Sequence, residues 1–231
     1  MIKKFHEKLQ EIIKNVNHMG KLVQEAVEGA AASLTEDNPE IAQKVIDGDD
    51  RIDDLEMRIE QDCLFIHAEY QPFAKDLRLI NSMNIIAIYL ERIGDLAVNL
   101  AKITRRLEKH KAMFMTPEIL DLVREMARLA KTVLASALKA LKNHDAKLAA
   151  RLEEIDTEVD EIQKVIFKKL FASVADNDEI NREEFALYLS NISLATRYLE
   201  RIGDQSVNIG ERVLIFLTGD YKYLHDDINE G

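Results

Sequence analysis

Tyr89-Leu-Glu-Arg-Ile-Gly-Asp95 occurs again as Tyr198-Leu-Glu-Arg-Ile-Gly-Asp204, and Val98-Asn99 recurs as Val207-Asn208. Nine of the eleven positions match at an offset of 109 residues, which composition alone does not produce. Upstream, at an offset of 107, Leu34, Ile41, Ala42, Val45, Asp49 and Asp53 align with Leu141, Leu148, Ala149, Leu152, Asp156 and Asp160. The offset changes between the second and third helical segments of each copy, where a loop tolerates insertion. The chain is therefore one unit written twice.

Breakers and caps divide each copy into three helical segments. Asn38-Pro39 and Thr116-Pro117 each place a capping side chain before a proline at the first helical position. His67–Lys75, Lys142–Asp145 and Ala175–Asn181 supply the other interruptions. Only three prolines and eight glycines occur in 231 residues, and no proline follows Pro117, which favours long helices over many strands and turns. The expected fold is all-α: two tandem, sequence-related three-helix bundles of six long helices, residues 1–112 and 113–231. Whether the bundles share one core is a question for the structure.

Composition narrows the function. A net charge of −11 disfavours binding to the nucleic-acid backbone, which needs clustered Lys and Arg. The single cysteine, Cys63, has no internal disulfide partner and reads as a buried, reduced thiol. No apolar run follows the basic N-terminal residues, so no signal peptide is expected. The longest uncharged apolar stretch, Ile85–Leu90, is far too short to cross a bilayer. The expectation is a soluble protein that meets a membrane only through partners.

The acids carry the chemistry. On a helical wheel of the second segment, Asp49 and Asp53 fall within the apolar sector of Ile41, Val45, Ile52, Leu55, Ile59 and Cys63. Lys44, Arg51, Asp54 and Arg58 fill the opposite face. Glu56 and Glu60 share the apolar sector, but their second-copy equivalents are Gln163 and Phe167. The pair spaced by four is present in both copies, as Asp49/Asp53 and Asp156/Asp160. In the third segment Glu91, Asp95, Asn99 and Lys102 form a narrow polar stripe on an otherwise apolar helix. The sixth segment repeats it with Glu200, Asp204, Asn208 and Glu211.

Each unit thus offers two helices bearing acids at i and i+4, roughly 6 Å apart along the axis and on one face. Four carboxylates brought together must be protonated, paired with Arg or Lys, or neutralised by a cation. Oxygen-only ligation suits hard cations such as Mg, Mn, Ca or ferric iron, singly or as a cluster. The competing structural reading is a ring of acids bonded to arginines. Arg197, three residues before Glu200, serves that reading better than Arg92, so the first unit is the better metal candidate. Gly94 and Gly203, inside the signature, point to close approach of another helix or room for a ligand. None of the six histidines has a glutamate three residues before it, against a ferritin-type di-iron enzyme. No phosphate-binding glycine loop, nucleophile–base pair or Cys/His metal spacing occurs either, and a non-enzymatic protein is expected.

Glu91-Arg-Ile-Gly-Asp95…Asn99, its second copy at Glu200–Asn208, and Gln71-Pro-Phe-Ala-Lys-Asp-Leu-Arg78 together resemble the PhoU family of phosphate-uptake regulators over essentially the whole chain. The resemblance implies two three-helix bundles in a cytoplasmic protein, peripheral at the inner membrane and often a homodimer. It implies metal ions bound by Asp49, Asp53, Glu91 and Asp95, and by Asp156, Asp160, Glu200 and Asp204. Iron, Mn, Mg, Ca and Zn are all open, and so is a multinuclear cluster. It also implies a negative regulatory adaptor of the phosphate-starvation regulon, with a phosphate ABC transporter and a sensor histidine kinase as partners. The second copy has Asp178-Glu-Ile-Asn-Arg-Glu-Glu184 where the first has the Gln-Pro turn, so a contact made by that turn would exist once. The rival readings are a carboxylate-bridged metalloenzyme and a metal-free helical scaffold.

Overall fold

A computed structural model describes residues 2–107, 115–175 and 182–221, and every regular element within them is helical. The expected unit boundary at 112/113 and most of the loop expected at 175–181 lie outside these residues. The elements are α1 (Ile2–Glu36), α2 (Pro39–Asp47), α3 (Asp50–Tyr70), α4 (Lys75–Leu107), α5 (Pro117–Asn143), α6 (Ala146–Ala149), α7 (Leu152–Ala175) and α8 (Arg182–Thr218). These make the six expected rods, two of them broken. α2 and α3 form the second rod, and α6 and α7 form the fifth.

The expected caps are in place. Asn38 accepts from the N–H groups of Glu40 at 3.0 Å and Ile41 at 3.1 Å, with Pro39 opening α2. Thr116 accepts from Ile119 N–H at 3.3 Å, and Asp145 caps α6 through Lys147 and Leu148. Replacing Asn38 with alanine removes both bonds and should cost about 1 kcal/mol, read as a lowered denaturant midpoint with an unchanged slope.

The wheel treated the second segment as continuous, and the structure corrects that. At Gly48 the ladder tightens: Gly48 N–H donates to Val45 at 3.2 Å and Ile52 N–H to Asp49 at 2.7 Å. Glycine's low helix propensity allows the break, and α3 restarts at Asp50. In the second copy the interruption falls earlier, at Ala150–Arg151, so Asp156 lies inside α7.

Each unit runs up, down and up. In the first, Lys8 and Glu11 of α1 meet Asp62 and Arg58 of α3, and the Cys63 thiol faces the Ile80 carbonyl of α4. Near the other end of the bundle Ser33 and Thr104 hydroxyls share a buried hydrogen bond at 3.0 Å. Burial pushes the Cys63 thiol up to about 12, so it stays an inert thiol. The most extensive helix–helix contact is α4 against α8, which joins the two units, and α1 also packs on α5. Arg78, near the start of α4, lies against Gly219, just past the end of α8, so these helices are antiparallel. One contiguous apolar cluster runs through both units. The bundles share a core.

Candidate functional site: two carboxylate clefts

In the first unit the polar stripe of α4 faces the break between α2 and α3. Asp49 stands at the N-cap position of α3, but its backbone is already helical (φ −64°, ψ −45°) and its carboxylate caps nothing. The side chain points across to α4 instead. Asp49 Oδ1 lies 3.6 Å from the place a Cβ would take at Gly94, beside Ile52 at 3.2–3.3 Å. In the second unit Asp156 lies closer still over Gly203, with its Cγ 3.0 Å from the equivalent point and Oδ1 nearer. The two signature glycines serve close approach, of Ile52 with the Asp49 carboxylate beside it at Gly94 and of the Asp156 carboxylate itself at Gly203.

This packing brings the acids of each unit together. Burial raises Asp49 to about 6, with Asp53 and Asp95 adding to the shift and Lys102 opposing it. Burial also raises Glu91, with further pushes from Asp95, Asp53 and Glu56. Asp53 is raised by burial and then by Asp95. In the second unit burial lifts Asp156 to about 7, helped by Asp204, Asp160 and Glu200. Glu200 is raised by burial and Asp204, against Arg197 and Arg201. All eight acids therefore fall into two groups of four, one per unit.

The wheel placed Asp53 among core residues, yet its side chain is exposed, as are Asp95 and Asp204. Each cleft has a buried end at Asp49 or Asp156 and an open end. The second opens into a space of about 450 Å³ lined by Asp156, Thr157, Asp160, Asp204, Gln205 and Asn208 among others.

Several buried oxygens have no partner in the described residues. Those in the clefts are Asp49 Oδ1 in the first unit, and Asp156 Oδ1, Glu200 Oε2 and Gln205 Oε1 in the second. An orphaned buried oxygen costs about 1–3 kcal/mol, more when charged, so a set of three signals something to be bound. Arg197 and Arg201 act on Glu200 by charge alone: no ion pair within 4 Å joins Arg197 to Glu200 among the described residues. Arg92 lies 6.0 Å over the Tyr89 ring.

Gln205 and Thr157 were missed from sequence because their first-copy equivalents are Leu96 and Asp50, and agreement between copies was the filter. Glu56, half-buried and raised by burial and by Glu60, extends the first group alone. Lys102 beside Asp49 corresponds to the buried Glu211, so the lysine that faces the buried aspartate of the first cleft has an acid in its place in the second.

An all-oxygen donor set with orphaned, desolvated carboxylates fits a hard cation. Among the described residues, no three Asp, Glu, His or Cys side chains already stand gathered about one point for an ion. Binding would draw in the exposed acids by a change of rotamer.

The sequence model described as the PhoU domain matches this chain twice, over residues 16–104 and 123–213. The phosphate-specific transport system accessory protein PhoU homolog 1 of Thermotoga maritima is 34% identical over 215 residues, 93% of this chain and 89% of that one. The homolog from Pseudomonas putida is 34% identical over 220 residues, 93% and 81% of the respective chains. The crystal structure of PhoU from Pseudomonas aeruginosa superposes with a TM-score of 0.85 at 32% identity, covering 94% of this chain and all of that one. That of the phosphate transport system regulatory protein PhoU from Streptococcus pneumoniae gives 0.80 at 26% identity, with 94% and 98% covered. With its signature helices, paired units and shared core all matched in this way, the chain belongs to the PhoU family.

Proposed function

We propose that this protein is a non-enzymatic regulator attached to a phosphate-specific transport system, and that its two carboxylate clefts bind metal ions that set its regulatory state. The transport role rests on the names of its relatives. The metal role rests on one observation: in both units an aspartate packs over the signature glycine with a buried oxygen left unpartnered. Asp49, Asp53, Glu91 and Asp95 would hold one ion or cluster, and Asp156, Asp160, Glu200 and Asp204 the other. The second cleft has the stronger need, with three orphaned oxygens and no cation acting on its buried Asp156.

A cation there would bridge α3 to α4 or α7 to α8, pinning helices that otherwise meet across mutually repelling acids. Both clamped helices α4 and α8 lie in the shared core, so occupancy would be felt across both units. The reading continues with a cytoplasmic adaptor that represses phosphate-starvation genes by linking a phosphate ABC transporter to a sensor histidine kinase. No described helix is long and apolar enough to cross a membrane, so contact with the transporter would be made at the membrane surface.

Two measurements test this. Elemental analysis of protein purified without added metal should find bound Fe, Mn, Mg, Ca or Zn, largely lost from Asp156→Asn/Glu200→Gln. Titration of the chelated protein should show that variant weakened about 100-fold at one class of site. Equal metal content in both proteins would defeat the metal proposal. Deleting the gene should switch on a phosphate-starvation reporter in high phosphate, and a silent reporter would defeat the regulatory one.

A further inference from the structure

The opposite charge gathers elsewhere on the molecule. α1 and α5 run antiparallel, and at Gly20 Leu138 comes within 2.6 Å of the position a Cβ would occupy. Beside this crossing a groove of about 730 Å³ is lined by Lys14, His18 and Lys21 of α1 and by Lys139 and Lys142 of α5, with Leu138 among its apolar residues. No residue of α4 or α8 lines it, so it lies away from both carboxylate clefts. In a chain of net charge −11, these four lysines make no ion pair among the described residues. The groove continues toward Lys131 and Glu28, and there Arg128 is neutralised by Glu125 at 2.6 Å.

From Lys14 to Glu28 the groove runs roughly 21 Å along α1. Five basic groups over apolar Leu138 and Ala135 call for an anion with an apolar stripe. The shape decides its kind. All five basic side chains are exposed and the groove is open along its length, whereas a small-ligand site buries most of its ligand. A flat bilayer does not enter a concave furrow between two helices, and the rest of this acidic surface repels anionic lipid. A nucleic-acid duplex would meet the same repulsion. A helix about 10 Å across, seated between two others, fits both the shape and the length.

We infer that the α1–α5 groove is a docking surface for an acidic amphipathic helix, about four turns long, of a partner protein. Its acids would meet Lys14, Lys21, Lys139 and Lys142, and its apolar stripe would cover Leu138. The inference does not depend on metal binding in the carboxylate clefts. Interfacial charges of this kind set register and speed encounter, and their effect falls steeply with salt.

The test uses the full chain and a fluorescein-labelled 15-residue helical peptide with leucines along one stripe and glutamates on both flanks. Fluorescence anisotropy should show binding that weakens at least tenfold between about 50 and 300 mM salt. Lys21→Glu/Lys139→Glu should weaken it tenfold or more, and a peptide with lysine in place of glutamate should bind that variant instead. Lys44→Glu/Lys168→Glu, an equal charge change outside the groove, should leave the affinity within about twofold. The affected side chains are exposed, and circular dichroism checks that both variants fold. Absence of binding, equal losses in the two variants, or no recovery with the reversed peptide would each overturn the proposal. So would lysine-dependent binding of ATP or of phosphatidylglycerol vesicles by a chain that ignores the peptide.

Discussion

Gly203→Ala is expected to lower cation affinity at the second cleft by about 100-fold, while Gly94→Ala leaves the first within a few-fold. The two positions are equivalent in the repeat, so the asymmetry is a strong test of the local geometry. A methyl group at Gly203 would fall on the Asp156 carboxylate, whose Cγ is already 3.0 Å from that point. Asp156 is buried and short, so its carboxylate must leave the cleft or α7 must move off α8. At Gly94 the nearest atoms belong to Ile52 at 3.2–3.3 Å, and the Asp49 oxygen is at an ordinary 3.6 Å. A small rotation of isoleucine absorbs that contact. The stability signs should differ as well. Alanine gains about 1 kcal/mol of helix propensity at either site, and at Gly203 an overpacking cost of about 1–3 kcal/mol opposes it. Isothermal titration with Mn or Mg, alongside denaturant unfolding of both variants, measures each part. Equal affinities in the two variants would remove the carboxylate from the argument.

The metal-free protein is expected to become more stable as pH falls from about 8 to 5. Asp156 has an ordinary value of 3.8 and is lifted to about 7 in the folded chain, by burial and then by Asp204, Asp160 and Glu200. A raised carboxylate holds its proton more tightly when folded. Its favourable contribution is complete below about 4 and is lost as pH climbs through about 7. Between pH 5 and 8 this single group should change stability by roughly 3 kcal/mol, and Asp49, raised to about 6, adds in the same direction. Asp156→Asn keeps the shape and removes the titration, so its stability should vary much less over that range. Added cation should also flatten the wild-type profile, because the ion replaces the proton at high pH. Unfolding in chelator at the two pH values decides it. Parallel profiles for the wild type and Asp156→Asn would sink the claim.

Much of this was legible in the chain. The repeated signature fixed the number of units, and Asn38-Pro39 and Thr116-Pro117 marked helix starts that the hydrogen bonds confirm. Helical faces placed Asp49 with Asp53 and Glu91 with Asp95, because residues four apart must point the same way. Which pairs meet across helices is not given by those faces and is set by the packing of α3 on α4. The wheel failed at Gly48, since a periodic pattern continues unchanged through a break of two residues. It also overstated the burial of Asp53, because a wheel gives direction but not depth. Gln205 escaped because it has no counterpart in the first copy, although its amide oxygen is buried in the second cleft. The basic groove could not be read at all. Lys14 and Lys142 are more than a hundred residues apart and become neighbours only when α1 lies against α5.

The contact of α4 with α8 fixes how the two halves relate as a matter of mass action. A lone three-helix unit would leave the apolar face of its signature helix bare and would have to find a second unit by collision. Joined in one chain, the halves meet at an effective concentration of about the millimolar range, whatever the protein's abundance. The two clefts are thus always present in equal number and held at one fixed separation, even when the protein is scarce. Copies of a single unit could guarantee neither.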